Sequence, residues 1–482
     1  MRRPAPIWPR LKRPERGAAA LIAAVTVPLL GGCVQVPTVP TVPEPMTTHV
    51  ASQVDVKGTN GALSQRDTDA LLKRLAAQAP DAGALERHLA VEQRVAGTPL
   101  YTGNRVTVLH DGPASLAAIF AAIHAAQRYL YLEYYILEEV QSGGEQLSGL
   151  LIARARRGVR IDVLYDSVGS FGTPRVFFDR LAQAGIYVKA FNPLIPLTPH
   201  FNVNNRDHRK LLLADGSLAI IGGINLSAHY ESSASETGPG PSDEKAKELK
   251  TIGGQKAVEG QKTAGYGPVH DTDLQIAGPA VRELQALFEQ HWQQQDGERS
   301  ALVGMDGAPQ PAAQGDQLVR VIGSQAGGRL SPRYYATLLS SIRSANSQID
   351  VTTAYFGPTR QESQALLRAA QRGVKVRLLL PSRGYSTAAL AIQRGHYGPL
   401  LHAGCEIYER QDGILHSKIV VADGIWSIVG SSNFDHRSVL FNDEIDAVVM
   451  GAEPARSWRA CSRTVSPTRS ASLPRHGAIA RC

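Results

Sequence analysis

The sequence predicts an α/β protein made of two tandem domains of one design, each a mainly parallel or mixed sheet with helices on both faces. Three observations point there. Strand-like and helix-like apolar periods alternate from Asn104 onward. The same order starts again at Leu318. Short peptides also recur in matching places. Ala155-Arg156-Arg157-Gly158-Val159-Arg160-Ile161 corresponds to Ala370-Gln371-Arg372-Gly373-Val374-Lys375-Val376, and Leu181-Ala182-Gln183-Ala184-Gly185-Ile186-Tyr187 to Leu401-His402-Ala403-Gly404-Cys405-Glu406-Ile407. A long-period repeat of this kind marks a duplicated unit, whose copies are expected to pack about a pseudo-two-fold axis.

Residues 68–78 and 82–93 read as two helices of a lead-in. The first copy reads as strand 106–110, amphipathic helix 116–128, strand 129–137, helix 145–157, strand 159–165, helix 176–184 and strand 187–191. The second reads as strand 318–322, helix 334–347, strand 348–355, helix 361–372 and strand 374–380. Between the copies, residues 231–266 are polar, Gly-rich and charged with both signs, the composition of a disordered insertion. The tail 452–482 has no apolar period and one acidic residue, and is not expected to form a helix.

At 482 residues, with 43% hydrophobic and 20% charged side chains, the chain is globular and too long for a single core. A net charge of +8 suits an acidic partner. However, six basic residues fall within the first 16 positions and six arginines within the last 31. The remainder is near neutral, so charge does not define the substrate.

The N-terminus has a sharper pattern. Arg2, Arg3, Arg10, Lys12, Arg13 and Arg16 precede an apolar run over 18–30, too short to span a bilayer but suited to an export signal. The run ends in Leu30-Gly31-Gly32-Cys33, which resembles the lipobox of bacterial lipoproteins, where the cysteine is acylated and becomes the new N-terminus. Val34 follows in place of the Asp that retains such proteins in the inner membrane. The resemblance therefore implies the periplasmic face of the outer membrane, with the inner membrane as the alternative. The Pro-Thr-Val segment over 37–45 reads as an extended tether. The other cysteines form no disulfide framework. Cys405 sits in an apolar stretch and is expected as a buried free thiol, while Cys461 and Cys482 lie in the tail.

The chemistry is carried by one spacing found twice. His-x-Lys is followed after four residues by Asp, then after six by Gly-Gly or Gly-Ser, with Asn two positions on. These are His208, Lys210, Asp215, Gly222, Gly223 and Asn225, and then His416, Lys418, Asp423, Gly430, Ser431 and Asn433. On a strand, residues i and i+2 share a face, so each imidazole and its ammonium can address one phosphate. Asp215 and Asp423, each before a glycine, open a turn and read as more structural than chemical, although they belong to the motif. Glycine lets the backbone approach phosphate oxygens, and the Asn amide can donate to them, which makes Gly223, Asn225, Ser431 and Asn433 candidate phosphate ligands. A lone His-x-Lys would be better explained by an exposed charged face; the doubled six-position pattern is specific.

With these residues the chain resembles the phospholipase D superfamily, and within it the cardiolipin synthases, over about residues 101–451. Further stretches that look like that subgroup are Tyr131-Leu132-Glu133-Tyr134-Tyr135-Ile136, Asp166-Ser167-Val168-Gly169-Ser170 and Asn205-Arg206-Asp207-His208-Arg209-Lys210. So do Asn225-Leu226 with Tyr230, Gly278-Pro279-Ala280-Val281, and Asn433-Phe434-Asp435-His436-Arg437-Ser438. The resemblance implies two phospholipase D-like domains sharing one active site, with catalytic residues His208, Lys210, Asp215, His416, Lys418 and Asp423. One histidine attacks the phosphodiester to give a phosphatidyl-histidine; the other is acid, then base. By family precedent His208 is the nucleophile and His416 the acid/base, an assignment the pseudo-symmetric sequence alone cannot make. Lysines and asparagines take the charge-stabilising role, so no metal or other cofactor is implied.

Each histidine also needs an orienting partner on its second ring nitrogen, and the resemblance implies a carboxylate near the end of each half in that role. Glu444 and Asp271 hold the matching places, since Asp271-Thr272-Asp273-Leu274 aligns with Glu444-Ile445-Asp446-Ala447; Asp273 competes with Asp271. His200 and His270 flank the site in sequence and are candidate lining residues. His88, His110, His291 and His396 show no metal-ligand spacing.

The expected organisation is a signal peptide over 1–32, a lipid-anchored linker and lead-in over 33–100, and a first domain over 101–300 with its motif at 202–229. A linker over 301–315, a second domain over 316–451 with its motif at 410–437, and the tail complete it. Three functions compete: a cardiolipin synthase using phosphatidylglycerol and a second phospholipid such as phosphatidylethanolamine, a hydrolase (phospholipase D or nuclease), and a non-catalytic lipid-binding envelope protein. The two complete motifs, the subgroup peptides and the membrane tether favour the first, with phospholipids and a membrane surface as partners and no nucleic acid.

Overall fold

The computed structural model describes residues 36–39, 54–78, 81, 83–193, 204–231, 268–295, 311–326 and 333–452. Cys33, His200, Cys461, Cys482 and the insertion from residue 232 to its end lie outside them, as does the tail after Ala452.

In the first half, Leu100–His110 forms β1, Asp111–Ala125 α1, Tyr129–Tyr134 β2, Leu147–Arg156 α2, Arg160–Asp166 β3, Arg175–Gln183 α3 and Tyr187–Phe191 β4. The hairpin strands Lys210–Ala214 (β5) and Leu218–Gly222 (β6) follow, then Thr272–Ala277 (β7) and helix Val281–Gln294 (α4). The second half repeats the series. Gln317–Ser324 is β8, Arg333–Ser344 α5, Gln348–Thr352 β9, Arg360–Gln371 α6, Lys375–Pro381 β10, Thr387–Gly395 α7, Glu406–Arg410 β11, Ile419–Ala422 β12, Trp426–Gly430 β13 and Asn442–Met450 β14.

Both half-sheets have one strand order. In the first it is β4-β3-β2-β5-β6-β7-β1, with β4, β3 and β2 parallel and every later pairing antiparallel. In the second it is β11-β10-β9-β12-β13-β14-β8, with the same senses. β1 pairs antiparallel with β8 and joins the halves. The sheets are thus mixed and carry more antiparallel pairing than a mainly parallel reading. The reason is local: Ala214 pairs with Leu218 and Ala422 with Trp426, and so short a turn can only return a strand antiparallel.

Alternation along the strands sorts the apolar residues into layers. Leu212, Ala214 and Ile220 face an outer core with Leu116, Ile119, Phe177 and Leu181 of α1 and α3. Leu211, Leu213 and Ile221 face a central core that they share with α4 and with Ile419, Val421 and Ala447 of the other half. Val420, Ala422 and Ile428 face a third core with α5, α6 and the lead-in helices Gln65–Ala76 and Ala84–Val95. Cys405 is buried in that core as a free thiol, and burial pushes it up to about 11. The lead-in is therefore packed structure: its His88 lies 3.2 Å from Asp423, and Glu92 pairs with Arg320 at 2.9 Å.

Candidate active site

The two His-x-Lys segments enter the site through matching backbone bonds that cross between the halves. The His208 N–H donates to the Asp443 carbonyl at 2.9 Å, and the His416 N–H to the His270 carbonyl at 2.7 Å. In each case the acceptor precedes a carboxylate, and that carboxylate takes the imidazole. Glu444 Oε2 lies 3.0 Å from His208 Nδ1, and Asp271 Oδ2 lies 2.7 Å from His416 Nδ1. Each histidine is thus held by the other half's carboxylate. Both carboxylates are fully buried, while the histidine side chains keep 13% and 12% exposure.

The site is electrostatically one. Burial, then the positive field of Lys210, Lys418, His416 and Arg437, drive His208 well below the ordinary histidine range. His416 is lowered by burial and by Lys418, against the opposing pull of Asp271. Burial brings Lys210 down to about 7, and it lowers Lys418 too. The Lys210 ammonium donates to the His208 carbonyl at 2.5 Å and lies 5.3 Å from the centre of the Tyr135 ring, whose edge meets the His208 ring at 5.2 Å between centroids. Lys418 Nζ is 2.9 Å from His416 Nδ1.

Asp215 and Asp423 are not brought to the histidines. They lie beyond the far ends of β5 and β12, each with φ 51°, ahead of glycines at φ 67°. Asp215 accepts the amides of Gln127, Arg128 and Tyr129 at 2.7, 2.8 and 2.9 Å; Asp423 accepts those of Asn346, Ser347 and Gln348. They fasten the starts of β2 and β9. Their place among the catalytic residues is corrected to a turn-forming one.

Two of the candidate phosphate ligands are also spent internally. The Gly223 N–H donates to the Thr272 carbonyl at 3.1 Å, and a Cβ there would sit 2.1 Å from Asp271 Oδ1. Ser431, its counterpart, donates its hydroxyl to Glu444 Oε2 at 2.5 Å. The second residue of the Gly-Gly or Gly-Ser pair thus seats the carboxylate. The first seats another: a Cβ on Gly222 or Gly430 would lie 2.3 Å from Asp273 Oδ1 or Asp446 Oδ1. Asp273 and Asp446 are buried, pushed up to about 7 and about 8 by burial, and hold the amides of Ile224 and Ser432. Asp273 is therefore no rival of Asp271 for the imidazole.

Asn225 gives its amide oxygen to the Ile136 N–H at 3.1 Å. The Asn433 amide oxygen is buried with no partner among the described residues, and of this side chain only the NH₂ group can donate to a phosphoryl oxygen. His270 is buried between Asp111 and Asp412, at 3.7 and 3.6 Å. It supports His416 through its backbone.

Sequence reasoning missed Tyr135, Ser438 and His291. Ser438 donates to Glu444 Oε1 at 2.8 Å. It falls five residues after Asn433, as Tyr230, whose hydroxyl lies 3.2 Å from His416 Nδ1, falls five after Asn225, so the shared offset was a usable signal. Glu133, Asp207 and His291 offer three buried metal-capable atoms within 4.8 Å of one another. Here Arg209, 3.3 Å from Glu133, and a cationic His291 already supply the positive charge that a metal would bring.

A duplicated α/β unit with two crossed histidine–carboxylate pairs and two buried lysines defines a site of the phospholipase D type. The chain belongs to the family described as cardiolipin synthase, PLD-like domain, which matches residues 119–247 and 338–460. It is 32% identical over 366 residues to a cardiolipin synthase of Geobacillus kaustophilus, covering 74% of this chain and 65% of that protein. It is 31% identical over 359 residues to cardiolipin synthase A of Pseudomonas aeruginosa, covering 74% and 66%. The match thus spans about two thirds of the length of these relatives. Among solved structures, a phosphatidylserine synthase of Haemophilus influenzae shares the fold, with a TM-score of 0.55 at 10% identity over 79% of this chain and 90% of that one.

Proposed function

We propose that the protein is a cardiolipin synthase-type phosphatidyltransferase that works through a phosphatidyl-histidine, and the observation that carries this is the crossed pairing of His208 with Glu444 and His416 with Asp271. A carboxylate that accepts the Nδ1 proton leaves the Nε2 lone pair free for a phosphorus atom or a proton.

The two pairs differ, which supports a division of labour. Glu444 also accepts from Ser431, Ser438 and Asn442. Its charge is shared among several donors and pulls less on the His208 proton. With lysine charges around it, His208 stays neutral and acts as nucleophile. Asp271 accepts the Thr272 amide at 2.8 Å and otherwise serves His416, the proton carrier.

In the first step His208 Nε2 bonds to the phosphorus of phosphatidylglycerol, the phosphorus–oxygen bond to the head-group glycerol breaks, and His416 gives that oxygen its proton. In the second, His416 takes the proton from the glycerol hydroxyl of another phosphatidylglycerol, whose oxygen displaces His208. Two phosphatidylglycerols become cardiolipin and glycerol; phosphatidylethanolamine as donor would release ethanolamine instead. Lys210, Lys418 and Asn433 stabilise charge on the phosphoryl oxygens. One phosphodiester replaces another, so no activated nucleotide is needed. Rapid alkaline quenching with phosphorus-labelled phosphatidylglycerol is expected to leave label on the peptide carrying His208. Label on the His416 peptide instead would overturn the assignment, and no label on either would overturn the covalent route.

Substrate and compartment fit an enzyme tethered at Cys33 to the periplasmic face of the outer membrane. Cys33→Ser is expected to abolish acylation and release the protein from membranes; an unacylated or cytoplasmic native protein would contradict this. Among the described residues no helix is long and apolar enough to cross a membrane.

A further inference from the structure

The repeat is broken at one place directly behind the site. Arg209 follows His208, Asp207 precedes it, and Asp443 precedes Glu444. All three side chains are buried, as are Glu133 of β2 and His291 of α4. His291 Nδ1 lies 2.6 Å from Glu133 Oε1, and its Nε2 lies 3.1 Å from Asp443 Oδ2. Arg209 reaches Glu133 at 3.3 Å and the Ser324 carbonyl at 3.2 Å, and its amide donates to Asp207 Oδ1 at 3.2 Å. The Ala326 amide donates to Asp443 Oδ1 at 2.7 Å.

Three corresponding positions behind His416 are uncharged. Leu415 stands for Asp207 and Ser417 for Arg209. Thr352, which pairs with Ile419 as Glu133 pairs with Leu211, stands for Glu133. At these three positions hydroxyl contacts stand in place of ion pairs, Thr272 Oγ1 to Ser417 Oγ at 3.1 Å and Ser417 Oγ to the His270 carbonyl at 3.4 Å, while His270, the counterpart of Asp443, faces Asp111 and Asp412 at 3.7 and 3.6 Å.

We propose that Glu133, Arg209, His291 and Asp443 are positioning residues that clamp the His208–Glu444 pair across the two halves, so that one of the two histidines is held far more rigidly than the other. The inference rests on the reading of His208 as the attacking group. The His291 ring is the strut: it bridges a carboxylate of the first half to the residue whose carbonyl holds the His208 amide and whose neighbour is Glu444. Although burial opposes its charge, Glu133 and Asp443 raise it to about 10, so it is an imidazolium at neutral pH. Breaking one side of such a buried pair leaves an uncompensated charge beneath the catalytic strand. A small displacement there is enough to cost a nucleophile its aim.

The test is the downfield proton spectrum of the full chain, which needs no turnover and so stands or falls apart from the phosphatidyl-transfer reading. The wild type is expected to show two carboxylate-bonded imidazole protons, assigned by their separate loss in His208→Ala and His416→Ala. In His291→Ala the His208 signal should broaden away or shift while the His416 signal stays. In Ser417→Ala, the control at the repeat-related position, both should stay. The kcat of His291→Ala should fall by about 10- to 100-fold with KM unchanged. Asp443→Asn, which keeps volume while cutting the strut, should repeat the selective loss if His291→Ala fails to melt cooperatively. Two unchanged signals, or equal loss of both in a cooperatively folded variant, would overturn the proposal.

Discussion

Replacing either His208 or His416 by alanine is expected to lower turnover by about 10⁴-fold or more, with folding intact. In the proposed mechanism each imidazole is needed in both half-reactions, one as the covalent carrier and the other as the proton carrier. Neither can substitute for its twin, because each is fixed to a separate carboxylate on the opposite half. His436→Ala is the control. Its exposed ring lies 2.9 Å from the Gly357 carbonyl and away from both histidine–carboxylate pairs, and its loss should cost several-fold at most. Purified variants assayed with phosphatidylglycerol would decide this, and substantial activity in either His208→Ala or His416→Ala would refute the two-histidine mechanism.

Glu444→Gln and Asp271→Asn are expected to cost about 10²- to 10⁴-fold in kcat, with little change in KM. An amide can present its NH₂ to Nδ1 and trap the tautomer whose Nε2 carries the proton, which removes the nucleophile at His208 and the base at His416. Glu444→Gln should be the more damaging in intermediate formation, because its carboxyl also organises Ser431, Ser438 and Asn442. A labelled-intermediate time course on both variants separates the steps. Wild-type kinetics in either would remove that carboxylate from the mechanism.

Much of this site was legible in the sequence because its spacing is enforced by strand geometry. His208 and Lys210 stand two residues apart on one chain, the turn at Asp215-Gly216 needs left-handed backbone, and the same demands recur at His416, Lys418 and Asp423-Gly424. The repeat peptides fixed the strand–helix order for the same reason, since both halves must bury equivalent faces. What could not be read was anything decided by contact across the halves. That Glu444 serves His208 and Asp271 serves His416 depends on how two sheets meet, which no local spacing encodes. Gly223 and Ser431 looked like phosphate ligands because small residues permit close approach, but what approaches them is a carboxyl group of the protein itself. His291 showed no ligand spacing because its partners, Glu133 and Asp443, lie 158 and 152 positions away in sequence. Of the two characters expected, mainly parallel or mixed, the sheet takes the mixed one, because helix–strand alternation governs only the first part of each half and the later hairpins set an antiparallel remainder.

The central claim is that this site moves a phosphatidyl group between two lipid alcohols with water held off. The most direct measurement supplies phosphatidylglycerol as the sole lipid to the purified full-length protein and quantifies every product. The account predicts cardiolipin and glycerol in equal amounts, with little phosphatidic acid. Phosphatidic acid as the main product would move the protein to the hydrolases, and binding without any product, with phosphatidylethanolamine also supplied, would contradict catalysis altogether.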